Sequence, residues 1–569
     1  MATTLFLKKN KNMTNVNLKK IALIVLISFG FTVLKAQESN NFEISKNIEI
    51  YVEIMRTLNQ NYADNINPGQ LNKTAIDAML STLDPYTVYI PESQLEDFEL
   101  MTKGEYGGIG ALIQKQGDYI IITEPYEGFP AQKVGLKPGD KILEIDGESL
   151  KGRNSSDVSE KLKGVPGTSL VLIVEPYGDT ISKSVELVRE KVKFPNIPYF
   201  GMLNESIGYI SLSQFNQNAA IDVKNAFIEL RDNNDLKGII LDLRDNGGGL
   251  LNEAVDIVNI FVQKGETVVT TKSKISDNVK IFRTKGLAED TKIPLAVLTN
   301  GNSASASEIV AGAIQDLDRG VVIGSRTFGK GLVQNVLPLP YNAKMKITIS
   351  KYYIPSGRCI QAIDYFQKDT NGNSDKVPDS LISAFKTAGG RTVYDGGGIQ
   401  PDINLEPIPF NQITGDLYAQ NYFFNYGNEF YLKNKTVPPL AEFEMNDGMY
   451  EEFKIYVTEK GFDYLTETEA VLENLKKSSE REDYYSVIAE QITTMDDEIK
   501  LEKKNDIDKY KDEIEELLML EIVSRYYYQH GKIVISLKND PDADEAIKVL
   551  TNIPLYDSIL NGTYVAKKE

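Results

Sequence analysis

The sequence predicts a multidomain α+β protein: a layered α/β core, a small β-domain inserted ahead of it, and helical segments on both sides. Three observations predict it. A chain of 569 residues is too long for one hydrophobic core and calls for three or four domains. Between residues 200 and 405, short apolar runs of strand type alternate with helical runs, the pattern of a largely parallel sheet covered by helices. Between residues 100 and 190 the chain instead carries glycine-punctuated short strands.

The first 36 residues read as an export signal. Lys8, Lys9, Lys11, Lys19 and Lys20 form a basic stretch without an acid, Ile21 to Leu34 is apolar, and Lys35-Ala36-Gln37 offers a small residue for cleavage. The apolar run is shorter than the ~20 residues that span a bilayer. An uncleaved N-terminal anchor is the alternative, and no cysteine follows the run to carry a lipid.

Residues 40–98 are expected to be helical, because Ile44, Ile48, Tyr51, Met55, Leu58 and Tyr62 repeat at three- and four-residue steps as one apolar stripe. Leu83-Asp84-Pro85-Tyr86 ends that pattern in a proline turn. In residues 99–190, strands are expected at Ala111 to Gln114, Tyr119 to Thr123, Lys141 to Ile145 and Leu170 to Val174. Turns at Pro138-Gly139-Asp140 and Asp146-Gly147 join them, with one short helix at Ser156 to Lys163.

In residues 191–409, strands are expected at Ile207 to Leu212, Gly238 to Leu243, Leu295 to Thr299 and Val321 to Gly324. Helices are expected between them at Ala220 to Arg231, Asn252 to Gln263 and Ala306 to Leu317. Residues 410–569 turn polar and helical. Ile507, Tyr510, Ile514, Leu517 and Leu518 make a short amphipathic stripe, expected to belong to a solvated helical appendage rather than a coiled coil.

Composition excludes several function classes. A formal charge of −19 at pH 7 offers no basic face for nucleic acid or anionic lipid. Cys359 is the only cysteine and His530 the only histidine, so neither an intrachain disulfide nor a zinc site built from Cys and His can form. A nucleophilic hydrolase made from this chain is not expected to use histidine as its base. Cys359 and His530 read as a small strand residue and a surface-helix residue.

Three loops at strand ends carry chemistry. Leu243-Arg244-Asp245-Asn246 runs into Gly247-Gly248-Gly249, where the backbone can turn sharply and bring N–H groups against a bound atom; a simple tight turn is the other reading. Thr299-Asn300-Gly301-Asn302-Ser303-Ala304-Ser305-Ala306-Ser307-Glu308 ends a strand and begins an apolar helix. Unpaired N–H groups there favour a developing oxyanion. Ser305 and Glu308 also fit a capping box. Thr327-Phe328-Gly329-Lys330-Gly331 follows a buried strand. A lysine sheltered between two glycines can lose its charge and take a proton from a serine hydroxyl. Its spacing does not match a phosphate-binding loop, because Gly331 stands where that motif needs Ser or Thr.

Ser303 to Ile309, then Phe328-Gly329-Lys330-Gly331 and Gln334, resemble the C-terminal processing (tail-specific) peptidase family, including the 25-residue separation of Ser305 and Lys330. Leu83 to Tyr86, Lys351 to Arg358 and Gly396 to Asp402 extend the likeness over most of residues 40–405. The resemblance implies a crotonase-like layered core with an inserted PDZ-like domain. It implies Ser305 as nucleophile, Lys330 as base and Gln334 as the partner orienting the lysine, with Ser303 and Ser307 the rival nucleophiles. The oxyanion would be held by the N–H of Ala306 and one from Gly247 to Gly249, with Gly248 favoured. No metal or cofactor is implied.

A PDZ reading has its own basis in Tyr106-Gly107-Gly108-Ile109-Gly110. A glycine-rich loop can aim N–H groups at a terminal carboxylate, and the strand behind it offers an edge for an extended peptide. Many relatives carry a basic residue where this chain has Glu175. The expected activity is serine endopeptidase action on exported proteins or peptides with accessible C-termini, in the periplasm or cell envelope of a Gram-negative source. A homo-oligomer is compatible with the sequence. The rival is a catalytically silent PDZ scaffold.

Overall fold

The computed structural model describes residues 41–95, 104–274, 278–368, 374–407 and 409–564. The expected export signal at 1–36 lies outside them. Among the described residues, no helix is long and apolar enough to cross a membrane. The chain divides between Tyr89 and Ile90 into two units.

In the first unit, helix α1 (residues 41–61) precedes α2 (Pro68–Ser81), as the apolar stripe predicts. The Tyr51 hydroxyl donates to Asn72 Oδ1 at 2.8 Å and ties the two helices. The expected proline turn is held by Asp84, whose carboxylate accepts from the Tyr86 and Thr87 amides and the Thr87 hydroxyl.

The second unit opens with a small β-domain. Its antiparallel sheet has the order β2 (Ala111–Gln116), β3 (Tyr119–Pro125), β4 (Lys141–Ile145), β5 (Ser169–Glu175), β6 (Lys183–Val188). A separate pair joins β1 (Glu105–Gly108) to β7 (Glu190–Lys193). Two helices, α3 (Pro130–Lys133) and α4 (Ser155–Leu162), cover it; Ile120, Ile122, Ile142, Val158 and Leu172 fill its core. The four expected strands and the helix all form. Glu175 pairs with Lys141, its cross-strand neighbour.

The layered core is built on a sheet ordered β8 (Tyr199–Met202), β9 (Ile207–Ser211), β10 (Gly238–Asp242), β13 (Leu295–Thr299), β14 (Val321–Gly324), β17 (Ile403–Asn404). Only β8 runs antiparallel to its neighbour. Helices α5 (Ala219–Asn233), α6 (Leu251–Phe261) and α7 (Ala306–Asp316) lie on one face, around buried Phe215, Phe227, Val258 and Ile309. A second, antiparallel layer holds β11 (Thr267–Ser273), β12 (Val279–Arg283), β15 (Leu332–Pro338) and β16 (Lys344–Tyr353). Because β10, β13 and β14 are adjacent and parallel, their carboxyl ends deliver the three predicted loops to one edge, where open α/β sheets bind ligands.

The region after residue 410 corrects the expectation of a solvated appendage. Helices α8 (Gln412–Ala419), α9 (Tyr422–Lys433), α10 (Asp447–Glu459) and α11 (Lys511–Ser536) share a core of Phe423, Phe453, Ile514, Leu518 and Ile522. Helices α12 (Pro541–Thr551) and α13 (Ile553–Leu560) then close the open face of the core sheet. Val549, Leu550 and Tyr556 pack there on Ile207, Ile240 and Val321. The amphipathic stripe faces these aromatic partners, which lie far from it in sequence and outside any heptad pattern. Cys359 is likewise corrected, to a half-buried loop residue, while His530 is exposed on α11, edge-on to Tyr199.

Candidate active site

Ser305 is the N-cap of α7 and has φ 58° and ψ −109°, a backbone conformation that costs a non-glycine residue strain and turns it out of the strand–helix bend. It remains partly exposed. Ser303 and Ser307 do not: both are fully buried, and their hydroxyls donate to the carbonyls of Leu243 (2.8 Å) and Asn246 (2.7 Å). The two rival hydroxyls are thus committed to fixing the glycine loop against α7.

Glu308 joins the serine loop to the lysine loop. Its carboxylate is fully buried and accepts four hydrogen bonds: Oε2 from the Ser305 amide (2.8 Å) and Lys330 amide (2.9 Å), Oε1 from the Gly329 amide and the Thr327 hydroxyl (both 2.7 Å). Sequence reasoning read this residue only as half of a capping box. Burial pushes its carboxyl above the ordinary range, against the pull of the four donors. The buried Tyr352 hydroxyl adds a second tie, within reach of the carbonyls of Ser305 and Lys330. Lys330 itself is partly buried, with Gly329 and Gly331 buried on either side. Gly331 donates to Gln361 Oε1 at 2.6 Å. Beyond Gln361 a cavity of about 150 Å³ opens among Leu332, Cys359 and Ile363.

Gln334 sits on β15, where its carboxamide donates to Thr348 Oγ1 of β16 at 3.2 Å. The structure therefore places it on the strand leaving the lysine loop, with one donor already engaged.

The glycine loop meets the serine loop at Gly248. With φ 97° this residue could carry a side chain only by colliding with Ala304 O, Ala306 N and Ser305 Cβ. Its amide donates to Asn246 Oδ1 at 2.9 Å, and fully buried Asn246 is anchored through Nδ2 to the Leu212 carbonyl at 2.6 Å. Asn246, which no sequence signal singled out beyond its place before the glycines, thus holds the amide expected to line the oxyanion site. Ala306 is the first residue of α7, so its amide has no intrahelical acceptor.

In the β-domain, Gly107 and Gly108 are part of β1, in register with Lys191 and Glu190. The Gly107 carbonyl accepts from the Gly164 amide at 3.0 Å, and a side chain at Gly107 would collide with the Gly164 carbonyl. Ile109 and Gly110 follow the strand and lie outside the ladder. The Ile109 carbonyl accepts from Ala131 of α3 at 2.8 Å, and Gly110, at φ 70°, packs on Phe129. Strand β2 begins directly after these two residues.

Comparison with known proteins agrees with this architecture. Residues 206–371 match peptidase family S41, 121–176 match a PDZ domain, and 413–550 match the C-terminal helical domain of a probable PDZ-protease. The chain is 34% identical over 341 residues to the carboxy-terminal-processing protease of Bartonella bacilliformis, covering 59% of this chain and 77% of that one. It is 34% identical to a probable CtpA-like serine protease of Staphylococcus aureus, covering 60% and 67%. The solved photosystem II D1 C-terminal processing protease is 26% identical, with 63% of this chain and 92% of that one covered and a TM-score of 0.34. The protein is a serine-type peptidase. It belongs to the PDZ-containing, carboxy-terminal-processing proteases of peptidase family S41.

Proposed function

We propose that the protein is an exported endopeptidase that captures substrate C-termini in its PDZ groove and cleaves them with a Ser305–Lys330 dyad. Residues 1–36 direct export, to the periplasm or cell envelope in a Gram-negative cell. A substrate terminus docks its carboxylate on the amides of Ile109 and Gly110, and its strand adds to β2.

Neutral Lys330 takes the proton of Ser305 as Oγ attacks the scissile carbonyl, and Gln334 orients the amine through Oε1. The oxyanion is received by the amide of Ala306 and by that of Gly248, which exchanges Asn246 Oδ1 for the substrate oxygen. Protonated Lys330 returns the proton to the leaving amine, giving an acyl-enzyme. Water, deprotonated by the same lysine, then releases the acid and restores the serine.

The observation that carries this reading is the meeting of the Ser305 and Lys330 amides on one Glu308 oxygen. That contact holds the backbones of the two residues together. The test compares wild type, Ser305→Ala and Lys330→Ala on an unstructured peptide with an apolar free C-terminus. Wild type is expected to cleave it and to show an acyl adduct on Ser305 by intact mass. Both variants are expected to lose about 10⁴-fold or more in kcat, and the wild-type rate is expected to rise from neutral to alkaline pH as Lys330 gives up its proton. Full activity in Lys330→Ala removes the base assignment. Tail binding without cleavage by the wild type would instead mark a scaffold.

A further inference from the structure

The hairpin of β15 and β16 carries the chain away from the lysine loop, and its ladder fixes which side chains share a face. Beyond the register shift at Val333 and Gln334, Gln334 pairs with Thr348, Asn335 with Ile347, Val336 with Lys346 and Leu337 with Met345. Side chains alternate along a strand, so Gln334, Thr348, Val336 and Lys346 lie on one face and Asn335, Ile347, Leu337 and Met345 on the other. Successive pairs on one face are about 7 Å apart. Lys346 therefore stands one step beyond the hydrogen bond between Gln334 and Thr348, on the side that leads away from Lys330.

Lys346 is half-buried in this position. Among the described residues it meets no carboxylate and no hydrogen-bond acceptor, and burial is what pushes its amine below the ordinary lysine value. Other half-buried lysines of the chain are compensated: Lys141 by Glu175, Lys454 by Glu451 and Asp508, Lys503 by Asp463 and Glu469. A cation drawn partly out of water without a partner carries a free-energy cost. A carboxylate arriving from outside the chain would remove it.

We propose that Lys346 is a specificity-determining residue that receives a carboxylate of the bound substrate, one ladder step beyond Gln334. The inference rests on the Ser305–Lys330 reading, in which Gln334 lies beside the reacting groups. A substrate held at Ser305 and running along this face of β15 and β16 presents an acidic side chain, or its own terminal carboxylate, to the Lys346 ammonium. The two form a charge-assisted hydrogen bond in a half-dry setting, and the anion draws the amine back to its charged form. Among tails that the β-domain accepts alike, the enzyme thus selects those with an anion at one fixed distance from the cut.

The full-length protein is given peptides with one free apolar C-terminus and one cleavable core, differing only by Asp or Asn at successive positions on either side of the cut. At one position wild type should favour Asp about tenfold in kcat/KM, the scale of a hydrogen bond to a charged group. Lys346→Met should abolish that ratio and Lys346→Arg should keep it; Lys346→Gln gives the same reading should the Met variant fail to fold. A merely structural lysine would slow both peptides alike and leave the ratio standing. The source of the carboxylate is read from a short peptide cut near its end, offered as free acid and as amide. A free-acid preference that Lys346→Met removes assigns the terminal carboxylate, and one that survives belongs to the β-domain and leaves the acidic side chain as the ligand. Binding of the Asp and Asn peptides to Ser305→Ala, followed by fluorescence anisotropy, reads the same ratio without cleavage. A wild type that cleaves no peptide overturns the Ser305–Lys330 reading alone, and the binding ratio still decides Lys346. No carboxylate preference in cleavage or binding, or an Asp preference untouched by Lys346→Met, overturns the proposal.

Discussion

Gly248 stands so near Ser305 that a β-carbon placed on it would lie 2.9 Å from Ser305 Cβ. The same carbon would sit 2.6 Å from Ala304 O and 2.8 Å from Ala306 N, both rigid backbone atoms. Gly248→Ala must therefore move the glycine loop away from the start of α7, in addition to straining a residue at φ 97°. Removing one oxyanion donor typically costs about 10²–10³ in kcat. We expect a loss of that order, measured as kcat on a tailed peptide. Wild-type turnover in Gly248→Ala would exclude the loop from the oxyanion site.

Glu308→Gln replaces one acceptor oxygen by an amide that opposes backbone N–H groups. Leaving such buried donors unpaired costs about 1–3 kcal/mol, and the register between Ser305 and Lys330 loosens. We expect kcat to fall more than tenfold with KM little changed. The pH dependence of stability has a definite sign. Because burial raises the Glu308 carboxyl above its ordinary value of 4.5, the fold favours the protonated form. That contribution is whole below the ordinary value and is lost as pH rises through the raised one. Thermal unfolding across this window should show wild type losing stability relative to Glu308→Gln as pH rises; the opposite trend would contradict the assignment.

The tail groove offers a separate test. Gly110, at φ 70°, has the Phe129 side chain against its α-carbon, so Gly110→Ala must displace Phe129 or twist the amides of Ile109 and Gly110. Tail affinity should drop by about tenfold or more, worth about 1.4 kcal/mol. Cleavage of a C-terminally amidated peptide should persist. Equal loss on both peptides would mean that the loop serves folding and not recognition.

Much of this arrangement was legible because local chemistry and global fold agree in it. Strands such as Leu295 to Thr299 are apolar throughout, since both faces of a parallel sheet are covered. Small residues before α7 announce a helix start that something must approach. What the sequence hid depends on distant partners. Nothing near Glu308 reveals that Thr327 and Gly329 will return to it, because its spacing from Ser305 already has an explanation as a cap. Asn246 reads as a turn residue until Leu212 anchors it. The polar background around Ile514 and Leu518 conceals a core, because their partners Phe423 and Phe453 lie far upstream.

Arg358 shows how the far end of α7 is fixed. It is fully buried, donates to Asp316 Oδ1 at 2.8 Å, Gln315 Oε1 at 2.7 Å and the Tyr394 carbonyl at 3.0 Å, and so pins the last turn of α7, whose first turn carries Ser305. Burial lowers the guanidinium and raises the Asp316 carboxyl, each against the opposing pull of the other charge. Arg358→Met keeps the volume but leaves the Asp316 carboxylate buried without its partner, which typically costs about 3–5 kcal/mol. The double variant Asp316→Asn/Arg358→Met removes the stranded charge and should recover a large part of that loss, a non-additivity that denaturant unfolding measures directly. Additive losses in the double variant would show that Arg358 stabilises the core by filling space, and that its charge plays no part in holding α7.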